Sequence, residues 1–162
     1  MERVLITGAN GFAGRAICRR LLAQDWQVRG SVRSADSAVP AEIEKIVTGD
    51  IGADTDWRAA LAGVDAVVHC AARVHVLRET ADDPIAAFRR VNVAGSRRLA
   101  EQAVAAGVRR FVFLSSIGAA VAAAAPARAT PYQRSKLEAE TALREATAGS
   151  ATLLVMLRPP LV

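Results

Sequence analysis

Short runs of β-branched and leucine side chains recur along the 162-residue chain, separated by stretches in which apolar positions repeat every three to four residues. The strand-sized runs lie at Arg3–Thr7, Gln27–Val32, Glu44–Thr48, Ala66–Cys70, Arg110–Ser115 and Thr152–Arg158. After the first of them, Ala13, Ile17 and Leu21 fall at helical spacing. The longest helical pattern follows Asp83-Pro84 and runs from Ile85 to Ala106; Pro84 suits a first helical position and Gly107 a left-handed stop. Another runs from Tyr132 to Ala146, opened by Thr130-Pro131 and closed before Gly149. Strand and helix in alternation predict parallel strands with right-handed crossovers. The expected fold is α/β, a doubly wound sheet of order 3-2-1-4-5-6 with helices on both faces. The low-complexity stretch Gly118–Ala129, G-A-A-V-A-A-A-A-P-A-R-A, reads as a short helical turn or a mobile loop and offers no chemistry.

Composition narrows the picture. The length suits one domain with one good core. The apolar share of 52% is mostly Ala, Val and Leu with few aromatics, which favours a parallel sheet under helices over a β-sandwich. No apolar run is long enough to span a membrane, and Met1 leads straight into the first strand without the look of a signal peptide. Cys18 and Cys70 have neither CxxC spacing nor a histidine cluster, so they read as free thiols of a reducing cytoplasm rather than a disulfide or metal site. The net charge of +5 rests on arginines scattered over several elements, mostly beside acidic residues. That pattern favours a solvated surface with some preference for anionic ligands over a nucleic-acid groove.

Gly8, Gly11 and Gly14 sit between the first strand and the first helix. A turn that brings backbone N–H groups against phosphate oxygens leaves no room for a Cβ, and the helix start adds unpaired donors and the positive end of its dipole. In a Rossmann fold Gly8 makes the tight turn, Gly11 admits the pyrophosphate of a dinucleotide and Gly14 packs the helix on the strand.

Other side chains fall at the same ends of the strands. Asp50 follows the third, His69-Cys70-Ala71-Ala72 close the fourth and Ser115-Ser116 close the fifth. Ala71 and Ala72 leave room for a ring or ribose and Asp50 suits an adenine amino group, although ordinary turn chemistry explains them equally. His69 reads as a packed or capping residue. Tyr132 and Lys136 lie one helical turn apart, with Ser116 placed to face them. A tyrosinate base near neutrality needs its pKa lowered by about three units, and a lysine ammonium beside an oxidised nicotinamide carries the right charge to do it. Ser116 would then hydrogen-bond the reacting oxygen.

These residues resemble the extended short-chain dehydrogenase/reductases, in particular the NAD-dependent epimerase/dehydratase family acting on nucleotide sugars. The similar segments are T-G-A-N-G-F-A-G at Thr7–Gly14, G-D-I at Gly49–Ile51, H-C-A-A at His69–Ala72, V-N-V-A-G at Val91–Gly95, F-L-S-S at Phe113–Ser116, Y-Q-R-S-K at Tyr132–Lys136 and L-R-P-P at Leu157–Pro160. The resemblance implies Tyr132 as catalytic acid/base, Lys136 as the residue that binds the nicotinamide ribose and tunes the tyrosine, and Ser116 as polariser of the substrate oxygen. It further implies Gly8, Gly11, Phe12, Ala13 and Gly14 at the pyrophosphate, Asp50 and Ile51 at the adenine, Ala71, Ala72 and Asn92 at the middle of the coenzyme, and Pro159 on the nicotinamide side. The stretch A-A-R-V-H-V at Ala71–Val76 is similar to a bacterial subgroup that epimerises or reduces UDP-linked 4-keto sugars. Relatives pair through helices, which here would be Ile85–Ala106 and Tyr132–Ala146 in a homodimer.

Two features depart from the family. The second strand, V-R-G-S-V-R, lacks the carboxylate that binds the ribose 2′-hydroxyl of NAD. Ser31 with Arg29 or Arg33 would instead hold the 2′-phosphate of NADP, so the expectation leans to NADP over NAD. The family also continues past R-P-P into a substrate-binding portion, whereas this sequence ends at Val162. A cofactor half without the sugar half is expected, which leaves a dihydroflavonol-reductase-like ketone reductase and a non-catalytic NAD(P)-binding module as alternatives.

Overall fold

The computed structural model describes residues 2–74 and 83–160. The end of the A-A-R-V-H-V stretch, from His75 on, lies outside them, as do Met1 and Val162.

Six strands, β1 (Arg3–Thr7), β2 (Gln27–Val32), β3 (Glu44–Val47), β4 (Ala66–His69), β5 (Arg110–Leu114) and β6 (Leu153–Leu157), form one sheet in the order β3-β2-β1-β4-β5-β6. All neighbours are parallel, with Val4 opposite Val28 on one side and Ala66 on the other. The direction in which strands are added to the sheet reverses between β1 and β4, which places the switch point at the glycine turn. The interior of β1 is buried on both faces. Leu5 packs with Trp57, Leu61, Val67, Leu99, Phe111 and Leu143, while Val4 and Ile6 pack with Cys18, Val28, Val32 and Ile43 on the opposite side. Two-sided burial explains why β1 and β4 read as continuous apolar runs rather than as alternating ones.

The helices are α1 (Phe12–Leu22), α2 (Arg58–Leu61), α3 (Pro84–Phe88), α4 (Ser96–Ala105), α5 (Ile117–Ala124) and α6 (Pro131–Thr147). The expected helix over 85–106 is interrupted: residues Arg89–Gly95 between α3 and α4 form a π-helix. Such wide turns change which side chains face inward, and here Asn92 and Gly95 become buried. The alanine tract forms the eight-residue α5 and a 3-10 turn at Pro126–Arg128, with Ala119 and Ala122 buried. It is a packed helix rather than a loop, because small side chains let α5 lie closely on α6. Helix α6 begins at a capping box: Thr130 Oγ1 accepts from Gln133 N and Gln133 Oε1 accepts from Thr130 N, with Pro131 first in the helix.

Candidate functional site

The turn after β1 has the conformation its glycines call for. Gly8 has φ +65, and an added Cβ would stand 3.0 Å from Ala71 Cα. Gly11 caps α1 without a side chain, no acidic residue occupies the first turn, and Phe12 is 82% exposed. The turn is thus packed too closely for a Cβ and leads into a helix start with no side-chain cap, which fits a phosphate group. The buried face of α1 is Gly14 and Cys18, flanked by Ala13, Ile17 and Leu21.

The turn after β4 meets this one. Ala71 N donates to Thr7 Oγ1 at 3.1 Å, and Thr7 Oγ1 lies 2.6 Å from His69 Nδ1, whose other nitrogen is 2.9 Å from Ser96 Oγ. His69 is therefore a packed residue, and burial pushes its pKa down to about 3. Beyond it the main chain at Arg73 is held from both sides, since Asn92 Oδ1 accepts from Arg73 N at 2.8 Å and Asn92 Nδ2 donates to Arg73 O at 3.0 Å. Asn92 Nδ2 also reaches Ser135 Oγ on α6 at 3.0 Å. Ala71 and Ala72 are half-buried beside the glycine turn.

At the ends of β2 and β3, Arg33 and Asp50 form an ion pair of 3.1 Å with both side chains more than 80% exposed. Ile51 packs into the space left by Gly95, where a Cβ would stand 2.4 Å from Ile51 Cγ2. Two expected phosphate ligands are excluded by their surroundings. Arg29 is buried and donates to the carbonyls of Ala60 and Ala62 at the end of α2 while pairing with Glu44. Ser31 is buried against Thr48 Oγ1. Both lie inside β2, which is buried on both faces, whereas Arg33 follows the strand's last residue and is exposed.

Tyr132, Lys136 and Ser116 converge at the carboxyl end of β5. Ser116 Oγ accepts from Gly118 N at 3.0 Å as the cap of α5 and is close enough to the Tyr132 hydroxyl to favour its ionised form. Burial pushes the Tyr132 phenol above its ordinary value, with Ser116 opposing it. Lys136 is 2% exposed; its Nζ donates to Leu114 O at 2.7 Å and lies 4.1 Å from the centre of the Phe113 ring. Burial pushes this ammonium down to about 8. Pro159 O accepts from Ile117 N at 2.9 Å, joining the exit of β6 to the start of α5. Glu140 was not singled out from sequence, yet it binds Ser115 and Arg158 below this group. Its signal was a carboxylate at i+4 from Lys136 on an inward face.

Residues 4–162 match the NAD dependent epimerase/dehydratase family. The chain belongs to this family. Among epimerase/dehydratase relatives, it is 36% identical to a UDP-glucose 4-epimerase of Vibrio cholerae over 99% of this chain and 52% of that protein. It is 34% identical to a ceramide reductase of Caulobacter vibrioides over 98% and 46%. A short-chain dehydrogenase/reductase superfamily protein of Agrobacterium tumefaciens, solved with bound NAD, superposes with a TM-score of 0.78 at 31% identity, covering 97% of this chain and 48% of that one. The chain thus spans about half the length of these relatives. Among the described residues no helix is long and apolar enough to cross a membrane, and no three His, Cys, Asp or Glu side chains are grouped to hold a metal ion.

Proposed function

We propose that this chain is the coenzyme-binding portion of an NAD(P)-dependent enzyme that oxidises or reduces a carbon of a nucleotide sugar, with Tyr132 as the acid/base. One placement carries the reading: the protein's single tyrosine, beside Ser116, stands one turn from a buried lysine at the sheet end that bears the glycine turn. The name of the Vibrio relative supports a UDP-sugar as substrate.

Gly8, Gly11, Phe12, Ala13 and Gly14 then hold the pyrophosphate, and Asp50 and Ile51 the adenine. Ala71 and Ala72 floor the middle of the coenzyme, Asn92 serves by fixing the main chain there, and Pro159 borders the nicotinamide. A bound nicotinamide supplies a two-electron acceptor and donor of hydride. Ser116 donates a hydrogen bond to the reacting oxygen, and Tyr132 takes or returns that oxygen's proton. A phenol held high by burial releases its proton near neutrality only beside positive charge, and Lys136 is the chain's own source of it.

Tyr132→Phe tests this assignment. Calorimetric affinity for NADH should stay within about twofold while turnover of UDP-glucose falls by about 100-fold or more. An unsubstituted chain that binds NAD(P)H but turns over neither a UDP-sugar nor a ketone would end the enzymatic reading. A ketone reductase is the second reading, favoured by exposed Arg33 at the end of a strand without a carboxylate and by likeness to the ceramide reductase. NADPH-dependent reduction of ketones without action on UDP-sugars would decide for it.

A further inference from the structure

The Glu140 side chain has no exposed surface. Oε1 accepts from Ser115 Oγ at 2.6 Å and Arg158 Nε at 2.8 Å; Oε2 accepts from Arg158 Nη2 at 2.6 Å and Arg144 Nη2 at 3.3 Å. Burial opposes a charge here, but the hydrogen bonds from Arg158 and Ser115 outweigh it and hold the carboxyl below its ordinary range. Its partners occupy telling positions. Ser115 precedes Ser116, Arg158 precedes Pro159, and Glu140 itself lies one turn after Lys136 on α6.

We propose that Glu140 is a positioning residue for the reaction centre, locking the ends of β5 and β6 onto α6 and placing a fixed negative charge one turn from Lys136. This rests on the coenzyme-binding reading of Lys136. The groups around the ammonium are the Phe113 ring and Leu114 carbonyl from β5, His69 and Cys70 at the end of β4, and Glu140 on α6, with Tyr132 one helical turn before it. His69, pushed down to about 3, is neutral near pH 7; Cys70, pushed up to about 12, and the raised Tyr132 phenol are protonated. Among these described neighbours Glu140 alone is then charged, with Arg158 and Arg144 as its own counter-ions.

The chain has two lysines, so lysine 13Cε NMR of the labelled protein gives one signal for Lys136 and one for exposed Lys45 as internal control. In Glu140→Gln the Lys136 midpoint should fall by about 0.5 to 1 pH unit, with Lys45 unmoved and most of the effect restored by Glu140→Asp. Arg158→Gln leaves the carboxylate without its main partner and should move the midpoint upward. With substrate, kcat of Glu140→Gln should fall about tenfold with KM nearly constant. An unmoved Lys136 midpoint in a Glu140→Gln protein of native circular dichroism overturns the proposal. If that variant does not fold, an unmoved midpoint in Arg158→Gln overturns it instead. The NMR readout needs neither coenzyme nor substrate. NADH binding with an unmoved midpoint therefore counts against Glu140 alone, and a moved midpoint without NADH binding counts against the coenzyme reading alone.

Discussion

A Cβ added to Gly14 would stand 2.1 Å from the carbonyl oxygen of Gly8, and 3.0 Å from Ala9 Cα. The first turn of α1 is thus pressed onto the backbone of the turn that precedes it, and neither partner is a side chain that can swing away.

Gly14→Ala should therefore cost about 1–3 kcal/mol of stability, the range for overpacking, and weaken NADH binding by about tenfold or more as the turn shifts. Gly52 is the control, since it has ordinary φ and nothing within 4 Å of its added Cβ. Gly52→Ala should stay within about 0.5 kcal/mol of the parent. Urea unfolding with calorimetry checks both; equal stability of the two variants would contradict the close contact.

Acid sensitivity should trace to His69. Its ring is fully buried between Thr7 and Ser96, with a pKa pushed from 6.5 down to about 3. The unfolded chain takes up a proton near pH 6.5 that the folded chain refuses until about pH 3. The stabilisation is complete above pH 6.5 and is lost as pH falls towards 3. At about 1.4 kcal/mol per pH unit it amounts to about 5 kcal/mol across the window. Denaturant unfolding between pH 7 and 4 should show this slope in the parent and a flatter one in His69→Gln. Parallel slopes would assign the acid sensitivity elsewhere.

The elements that could be read from sequence are those governed by local chemistry. The six strand runs, the Thr130-Pro131 start of α6 and the Gly8 turn each follow from periodicity, capping or a backbone demand for glycine, and all six strands appear in the expected order. Tyr132, Lys136 and Ser116 were likewise legible because helical spacing and a strand end suffice to bring them together. Features set by tertiary contact were not. The π-helix at Arg89–Gly95 depends on Asn92 reaching the Arg73 main chain and on Ile51 filling the space beside Gly95. The same holds for Arg29, whose inward direction depends on carbonyls at the end of α2, 31 and 33 residues away. It holds also for the burial that raises the Tyr132 phenol.

Gly95 offers a test of the wide helical turn as a support for the proposed adenine site at Asp50 and Ile51. Gly95→Ala puts a methyl 2.4 Å from Ile51 Cγ2 and 3.3 Å from Gly52 N, so the loop carrying Asp50 and Ile51 must move outward. Stability should fall by about 1–3 kcal/mol. Affinity should fall for NADH and for AMP in similar ratio, because AMP carries only the adenosine side. Loss of NADH binding with unchanged AMP binding would place the effect away from the adenine.

Coenzyme preference should turn on Arg33 and its partner Asp50. Arg33 is the arginine at the end of β2 that faces solvent, and Asp50 holds it at 3.1 Å in an exposed pair whose own contribution to stability is at most about 1 kcal/mol. So weak a pair yields readily to a 2′-phosphate, which offers more charge and two-pronged hydrogen bonding. Arg33→Ala should therefore weaken NADPH binding about tenfold and leave NADH within about twofold. Asp50→Asn frees the guanidinium while removing a carboxylate that would repel the phosphate, so NADPH should gain relative to NADH. Raising salt should weaken NADPH more than NADH in the parent protein and equalise the two in Arg33→Ala, because exposed charges are screened over about 10 Å at 0.1 M. Calorimetry with both coenzymes reads all of these, and an equal loss for NADH and NADPH in Arg33→Ala would sink the preference for NADP.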